Sequence, residues 1–309
     1  MPRLPRYTPS GRTTALFFVM AIVVAALAAL VAWPYQRLVT WVPFIYINAV
    51  VYLVFAFVVA VCAMAAIKIG RNRNRMLGAI VGAVIGASAI GASHWFAYRH
   101  AIAEVTAELP AGAEDSPEVQ AAMDEALTFG TYVRARVDTG WSLGRSGSSG
   151  KGDLTGLFVW LIWGIEALGV IGAAAYVGSQ VEPFCEACGT WMKEREVWVR
   201  TDLDAASASA LAHVVSADEL LRPPVARDAP SRVKVAYTTY VCPTCASPGY
   251  VTLEKRWDEA MGDGRPSAAP IKYETKKETL LEVVELSRAQ LAQLDAARGQ
   301  AEAQPPPST

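Results

Sequence analysis

The chain has 309 residues, 53% of them hydrophobic and 18% charged, with a formal net charge of −1. That apolar content is high for a wholly water-soluble chain and too low for one buried entirely in lipid, so part of the molecule must face water. The near-neutral balance excludes the clustered Lys and Arg with which a general nucleic-acid binder neutralises phosphates, and no nucleic-acid partner is expected.

A tail of residues 1–13, expected in the cytosol, carries Arg3, Arg6 and Arg12 and leads into the first of four apolar stretches. These run from about Thr14 to Trp33, Phe44 to Ile67, Met76 to Ser93, and over residues 154–178. Each is close to the roughly 20 residues that a hydrocarbon core requires, and backbone bonding closed within the segment makes all four helices. Pro34 and Pro43 bracket the turn between the first two. A cleaved signal peptide competes for the first stretch, since an Arg-bearing lead, an apolar run and the Ala-rich positions from Ala26 to Ala29 are its ingredients. The run is too long for that, and a retained anchor is expected.

Lys68, Arg71, Arg73 and Arg75 fill the link between the second and third spans, whereas the first turn offers only Arg37. The positive-inside rule then places both termini in the cytosol, as in a multi-pass protein of a plasma membrane of the bacterial inner-membrane type. Arg71, Arg73 and Arg75 read as topology anchors, with contact to anionic headgroups as a secondary role. The third span bears a stripe of Gly78, Gly82 and Gly86, with Ala79, Ala83 and Ala87 beside it, the pattern that lets helix backbones touch. Cys62 in the second span reads as a small apolar filler.

Residues 94–153 form the remaining, outer loop, acidic in balance and flanked by Trp95, Phe96, Trp160 and Trp163, which with Trp33, Tyr35, Trp41 and Tyr46 at the first turn make an outer interfacial belt. His94 to Leu109 continues the third helix in polar form, and Ser116 to Val137 has helical spacing, with Ser116 as N-cap and Pro117 at the first helical position. A helical cap outside the membrane follows. Gly140 to Gly152 superficially suggests a phosphate loop, but Arg145 stands where a Walker motif needs Gly, and Gly152 replaces its Ser or Thr. A flexible lead into the fourth span is the better reading.

Glu166 falls near the middle of the fourth span, where a carboxylate is costly unless it faces protein or water. Gly169 and Ala173 share its face and permit close helix approach, and Ser88, Tyr52 and Asn48 are its expected intramembrane partners. Neutral interhelical glue and a role in proton or cation passage are equally compatible with this placement.

Beyond the fourth span the pattern changes. Trp191 to Val199, Ser231 to Val241, Gly249 to Trp257 and Ile271 to Thr275 read as strands of a small antiparallel sheet. Asp204 to Leu221 is Ala-rich with a helical repeat ended by Arg222-Pro223-Pro224, and Ser287-x-x-Gln290 is a capping box opening a last short helix. Residues 300–309 are Pro-rich and expected to be disordered.

Cysteine spacing is the most specific signal. Cys185-x-x-Cys188 and Cys242-x-x-Cys245 each aim two sulfurs at one point, and two such turns supply the four thiolates of a tetrahedral zinc site. Gly189 suits the left-handed residue that the first turn needs. The two pairs resemble the knuckles of the zinc-ribbon or rubredoxin-type family, of which Cys242-Pro243-Thr244-Cys245 has the Cys-Pro-x-Cys form. The resemblance covers only Phe184 to Gly189 and Val241 to Ala246; the long separation implies a decorated ribbon, and Ala246 replaces the usual following Gly. In a reducing cytosol disulfides are the weaker reading.

His94, His100 and His213 are too scattered to form a site, and no catalytic signature appears, so no enzyme is expected. The fold class is therefore an α-helical polytopic membrane domain of four transmembrane helices plus a small α+β cytosolic zinc-ribbon-like domain, residues 179–299, with an antiparallel sheet. The expected function is a membrane anchor or adaptor whose zinc-stabilised head binds a cytosolic protein. The alternative is an ion or proton channel or transporter, assembled as a homo-oligomer, with Glu166 on its path.

Overall fold

The computed structural model describes residues 4–42, 45–110, 116–142, 153–214, 216–221, 233–245, 248–261 and 272–303. The glycine-rich residues 144–152, the Arg222-Pro223-Pro224 stop, Ala246 and residues 304–309 lie outside the described residues. The chain divides into two units, Ser10–Val181, and Glu182–Thr309 together with Met1–Pro9.

Among the described residues, the first unit has four helices long and apolar enough to cross a membrane: α1 (Ala15–Trp41), α2 (Ile45–Ile69), α3 (Arg75–Ala107) and, after two shorter helices, α6 (Leu157–Ser179). Between α3 and α6 lie α4 (Pro117–Ala126) and α5 (Phe129–Thr139), and a two-residue pairing of β1 (Trp141–Ser142) with β2 (Asp153–Leu154). The helix expected across Ser116 to Val137 is thus two. The break falls at Thr128, which caps α5 by accepting from the Thr131 N–H at 3.2 Å, while Tyr98 donates to the Leu127 carbonyl at 2.6 Å. Tyr98 also belongs to a ring cluster with Trp95, Phe129 and Tyr132 that joins α5 to the distal part of α3.

Pro34 does not mark a turn, contrary to expectation, but lies inside α1. Inside a helix, proline removes one N–H from the ladder and its ring crowds the carbonyl four residues back, here that of Leu30. The helix carries on because Tyr35, the next residue, is fixed from outside: its ring stacks on Phe55 at 4.1 Å and 9°, and it is buried. α3 runs 33 residues, about 50 Å at 1.5 Å per residue, longer than a hydrocarbon core of about 30 Å.

α1 packs on α2 and α3, and α6 packs on the same two, so α1 and α6 face each other across the diagonal of the bundle. Its interior is built of small or compact side chains, Ala28, Ala32, Val59, Ala63, Ala89, Val170 and Ala174, all nearly inaccessible. Phe17, Phe55 and Ile85 are buried as well, but many large apolar residues point outward: Ile22 is 73% exposed, Phe57 67% and Leu168 74%. This inverts the arrangement of a soluble bundle, in which such residues fill the core.

The α2–α3 link is held by Asn72, which is fully buried. Its Oδ1 accepts from Thr13 Oγ1 at 2.9 Å and from the Asn74 N–H at 3.1 Å, and its Nδ2 donates to the Asn74 carbonyl at 2.9 Å. Asn74 in turn caps α3 by accepting from the Leu77 N–H at 2.9 Å. Arg71 adopts φ +49°, closing α2 with the Asn72 N–H bonded to the Ile67 carbonyl at 3.0 Å, the bond of a Schellman end.

The second unit centres on a four-stranded antiparallel sheet, β5 (Lys193–Arg200), β6 (Val233–Val241), β7 (Gly249–Met261) and β8 (Lys272–Leu286), in that order. A small hairpin, β3 (Phe184–Cys185) with β4 (Thr190–Trp191), precedes it. The excursion between β5 and β6 holds α7 (Ala205–Ala210), a 3-10 turn Leu211–His213 and α8 (Ala217–Leu220), not the continuous helix expected from its alanines. Asp204 caps α7 by accepting from the Ser207 N–H at 2.7 Å. These pieces, with α9 (Arg288–Ala303), bury Leu211, Leu220 and Leu294 in one core with Trp198, Tyr237, Val251, Leu253 and Leu281. The capping box forms as read: the Ser287 N–H donates to Gln290 Oε1 at 2.8 Å, and the Gln290 N–H to Ser287 Oγ at 3.3 Å. The helix continues to Ala303, into the segment expected to be disordered.

β8 is far longer than the stretch that alternation suggested, because it breaks period two. Two register slips against β7 insert extra residues near Leu280 and Val283, so that neighbours Leu280 and Leu281 are both buried.

Candidate metal centre

The two cysteine pairs, far apart in sequence, meet because of how β5 and β6 pair. Lys193 lies opposite Val241 and Arg200 opposite Val235, so β5 leaves the first knuckle and β6 returns to the second. The intervening helices are inserted at the other end of that hairpin, where their length does not disturb the knuckles. The first knuckle is the turn of the β3–β4 hairpin, braced by Phe184 against Trp191 with ring centroids 5.0 Å apart. Gly189 has φ +65° and its N–H donates to the Cys185 carbonyl at 2.9 Å, closing the turn through the left-handed region as its position predicts.

The Sγ atoms of Cys185, Cys188, Cys242 and Cys245 all lie within 4.8 Å of one another, with Cys185 and Cys245 at 3.5 Å. That is too long for a disulfide, and none of the four cysteines is in one. It suits a tetrahedron of sulfurs about 2.3 Å from a central ion, whose edge is about 3.8 Å. The Thr244 N–H points at Cys242 Sγ at 3.4 Å, and this bond with that of the Cys245 N–H lowers the Cys242 thiol pKa. Crowding acts oppositely on Cys188: hydrogen bonding with the Cys245 sulfur first, and then desolvation, push its thiol up to about 12. Four thiolates so close need a cation between them, and these residues would hold a metal ion.

Glu166 finds a partner that sequence reasoning missed. The Tyr35 hydroxyl donates to Glu166 Oε1, joining α1 to α6 across the bundle, and Tyr52 from α2 donates to the Glu166 carbonyl at 3.3 Å. Of the expected partners only Tyr52 is engaged: Ser88 bonds the Val84 carbonyl within its own helix, and Asn48 Nδ2 bonds the Val42 carbonyl. Tyr35 was not expected as a partner because a span ending at Trp33 leaves it in an interfacial belt at the first turn, whereas α1 runs on through Pro34.

Gly169 lies against the Tyr52 ring, whose Cζ is 3.1 Å from where a Cβ would stand. Gly78, Gly82 and Gly86 face α6, at Gly178, Ala174 and Ile171 respectively. The stripe is therefore used within the chain. Arg71 and Arg75 are exposed, but Arg73 is buried, its backbone N–H donating to the Arg12 carbonyl at 2.9 Å.

The carboxylate site yields a direct test. Glu166→Leu is expected to lower stability by about 0.6 kcal/mol and up to about 1.7, the range of interhelical hydrogen bonds in membranes. Glu166→Gln keeps an acceptor for Tyr35 and should lose less. Thermal unfolding of Glu166→Leu, Tyr35→Phe and the double variant in detergent checks this; strictly additive losses would show that the two side chains do not interact.

The four sulfurs form one metal-sized cluster and Glu166 joins three helices, but comparison with protein-family models, curated proteins and solved structures finds no match for this chain, so its own geometry must carry the functional reading.

Proposed function

We propose that the chain is a four-span membrane protein that presents a structural-zinc module at the cytosolic face as a docking platform for a protein partner. The observation that carries the reading is the closed cluster of four sulfurs within 4.8 Å at the end of a β hairpin. A site made of four cysteine thiolates leaves zinc no open position for water or substrate, so the ion would shape a surface without performing chemistry. The outward-facing Ile22, Phe57 and Leu168 support lipid as the surroundings of the bundle, and the Arg-rich α2–α3 link supports a cytosolic face for its end. Affinity crosslinking of the full chain in native membranes tests docking: a saturable protein partner is expected with wild type and lost with Cys242→Ser. Equal capture by both would end the reading.

A second reading, proton or cation passage, is favoured by the hydroxyls of Tyr35 and Tyr52 converging on Glu166 inside the bundle. The oligomeric form of that idea is weaker, since the glycine stripe is occupied by α6. Liposome flux separates the cases: passage requires wild-type flux above background and its loss in Glu166→Gln.

A further inference from the structure

The residues ahead of α1 pair with the sheet of the second unit. The Glu285 N–H donates to the Pro5 carbonyl at 2.8 Å, and the Tyr7 N–H to the Val283 carbonyl at 2.8 Å. Arg6 stands opposite Val284 in antiparallel register. Leu4 packs on the core of the unit, and the Tyr7 ring meets Tyr250 edge-on at 5.1 Å.

β8 is shaped to receive this segment. At its second slip Val283 adopts φ +45°, a conformation that a β-branched residue rarely takes. Its N–H leaves the ladder for Thr252 Oγ1 at 3.1 Å, and its carbonyl accepts from Tyr7. A bulge at an edge commonly ends pairing; this one is followed by Val284 and Glu285, which accept a new strand. Sequence order gives no hint of it, because the partners are separated by almost the whole chain.

We infer that Leu4–Tyr7 is a fifth strand of the metal-bearing sheet, delivered from the far side of α1, and that it fixes the topology of the chain. A strand and its sheet share one compartment. Resting on the membrane reading above, the number of crossings between Tyr7 and Glu182 is even, and α1 is a retained span: cleavage within its Ala-rich stretch would remove the strand. The same pairing closes the β8 edge at Val283 to Glu285 against strand addition by other chains.

Two measurements on the full chain test this. In detergent, hydrogen exchange of the Glu285 amide should quicken at least about tenfold in Tyr7→Pro, which lacks the donating N–H, and stay at the wild-type rate in Tyr7→Phe. An unchanged rate in Tyr7→Pro overturns the strand. In membrane vesicles, tags at the two ends should show the same protease accessibility, with the N-terminal tag still on the full-length chain. Opposite accessibility, or loss of that tag by cleavage, overturns the topology. Release of the chain by alkaline carbonate would instead overturn the membrane reading and the topology derived from it, leaving the strand to the exchange measurement.

Discussion

Cys242→Ser is expected to lower the bound metal from one ion per chain to a trace and the melting temperature of the second unit by about 10 °C or more, because structural zinc contributes several kcal/mol to a small domain. The damage should be graded along the sheet. Phe184, Cys185 and Met192 are buried at the knuckle end, where the β3–β4 hairpin is only two residue pairs long. The core of Trp198, Tyr237, Leu220 and Leu253 belongs to the strands and the helical excursion beyond the knuckles. Amides at 184–192 and 241–245 should therefore lose protection first, and those of Val235 to Tyr237 last. A chelator should reproduce the variant in wild type and change Cys242→Ser little. Metal analysis with hydrogen exchange reads both outcomes, and a metal-free chain with an intact knuckle would remove the metal centre altogether.

Gly82→Val is expected to be the most damaging single change in the helical unit. A Cβ at Gly82 would stand 2.8 Å from the Ala174 carbonyl carbon and closer still to its oxygen. Those are backbone atoms of α6 and cannot rotate aside, so the two helices must part. Overpacking costs about 1–3 kcal/mol where side chains can yield, and here they cannot. Gly78 and Gly178 face each other in the same way: a Cβ on Gly178 would lie 2.9 Å from the Gly78 carbonyl carbon. Gly164→Ala and Gly172→Ala are the controls, since a Cβ at either meets nothing within 4 Å, and alanine favours a helix by about 1 kcal/mol over glycine. Unfolding in detergent should place Gly82→Val far below wild type and the two alanine variants at or above it. Equal stability of Gly82→Val and Gly172→Ala would mean that α3 and α6 do not touch along this stripe.

Composition and spacing by themselves determined the four apolar helices, the four cysteines as a candidate metal cluster and Gly189 as the turn residue, because each follows from a local rule: the thickness of a hydrocarbon core, the reach of two thiols on one turn, the left-handed region open to glycine. Strand positions were legible where β-branched and aromatic residues are dense, in β5, β6 and the first part of β7, and most of β8 was missed, where two bulges leave the neighbours Leu280 and Leu281 both buried. What only the tertiary structure decided is which distant groups meet. Tyr35 reaches Glu166 because α1 runs through Pro34, the glycine stripe is filled by α6, and Arg73 is buried by contacts that its charge did not foretell. The strand at Leu4–Tyr7 is the extreme case, pairing with residues almost a whole chain away. Its few residues have no periodicity to read, and their order comes from an edge whose bulge exists only once β7 and β8 have paired.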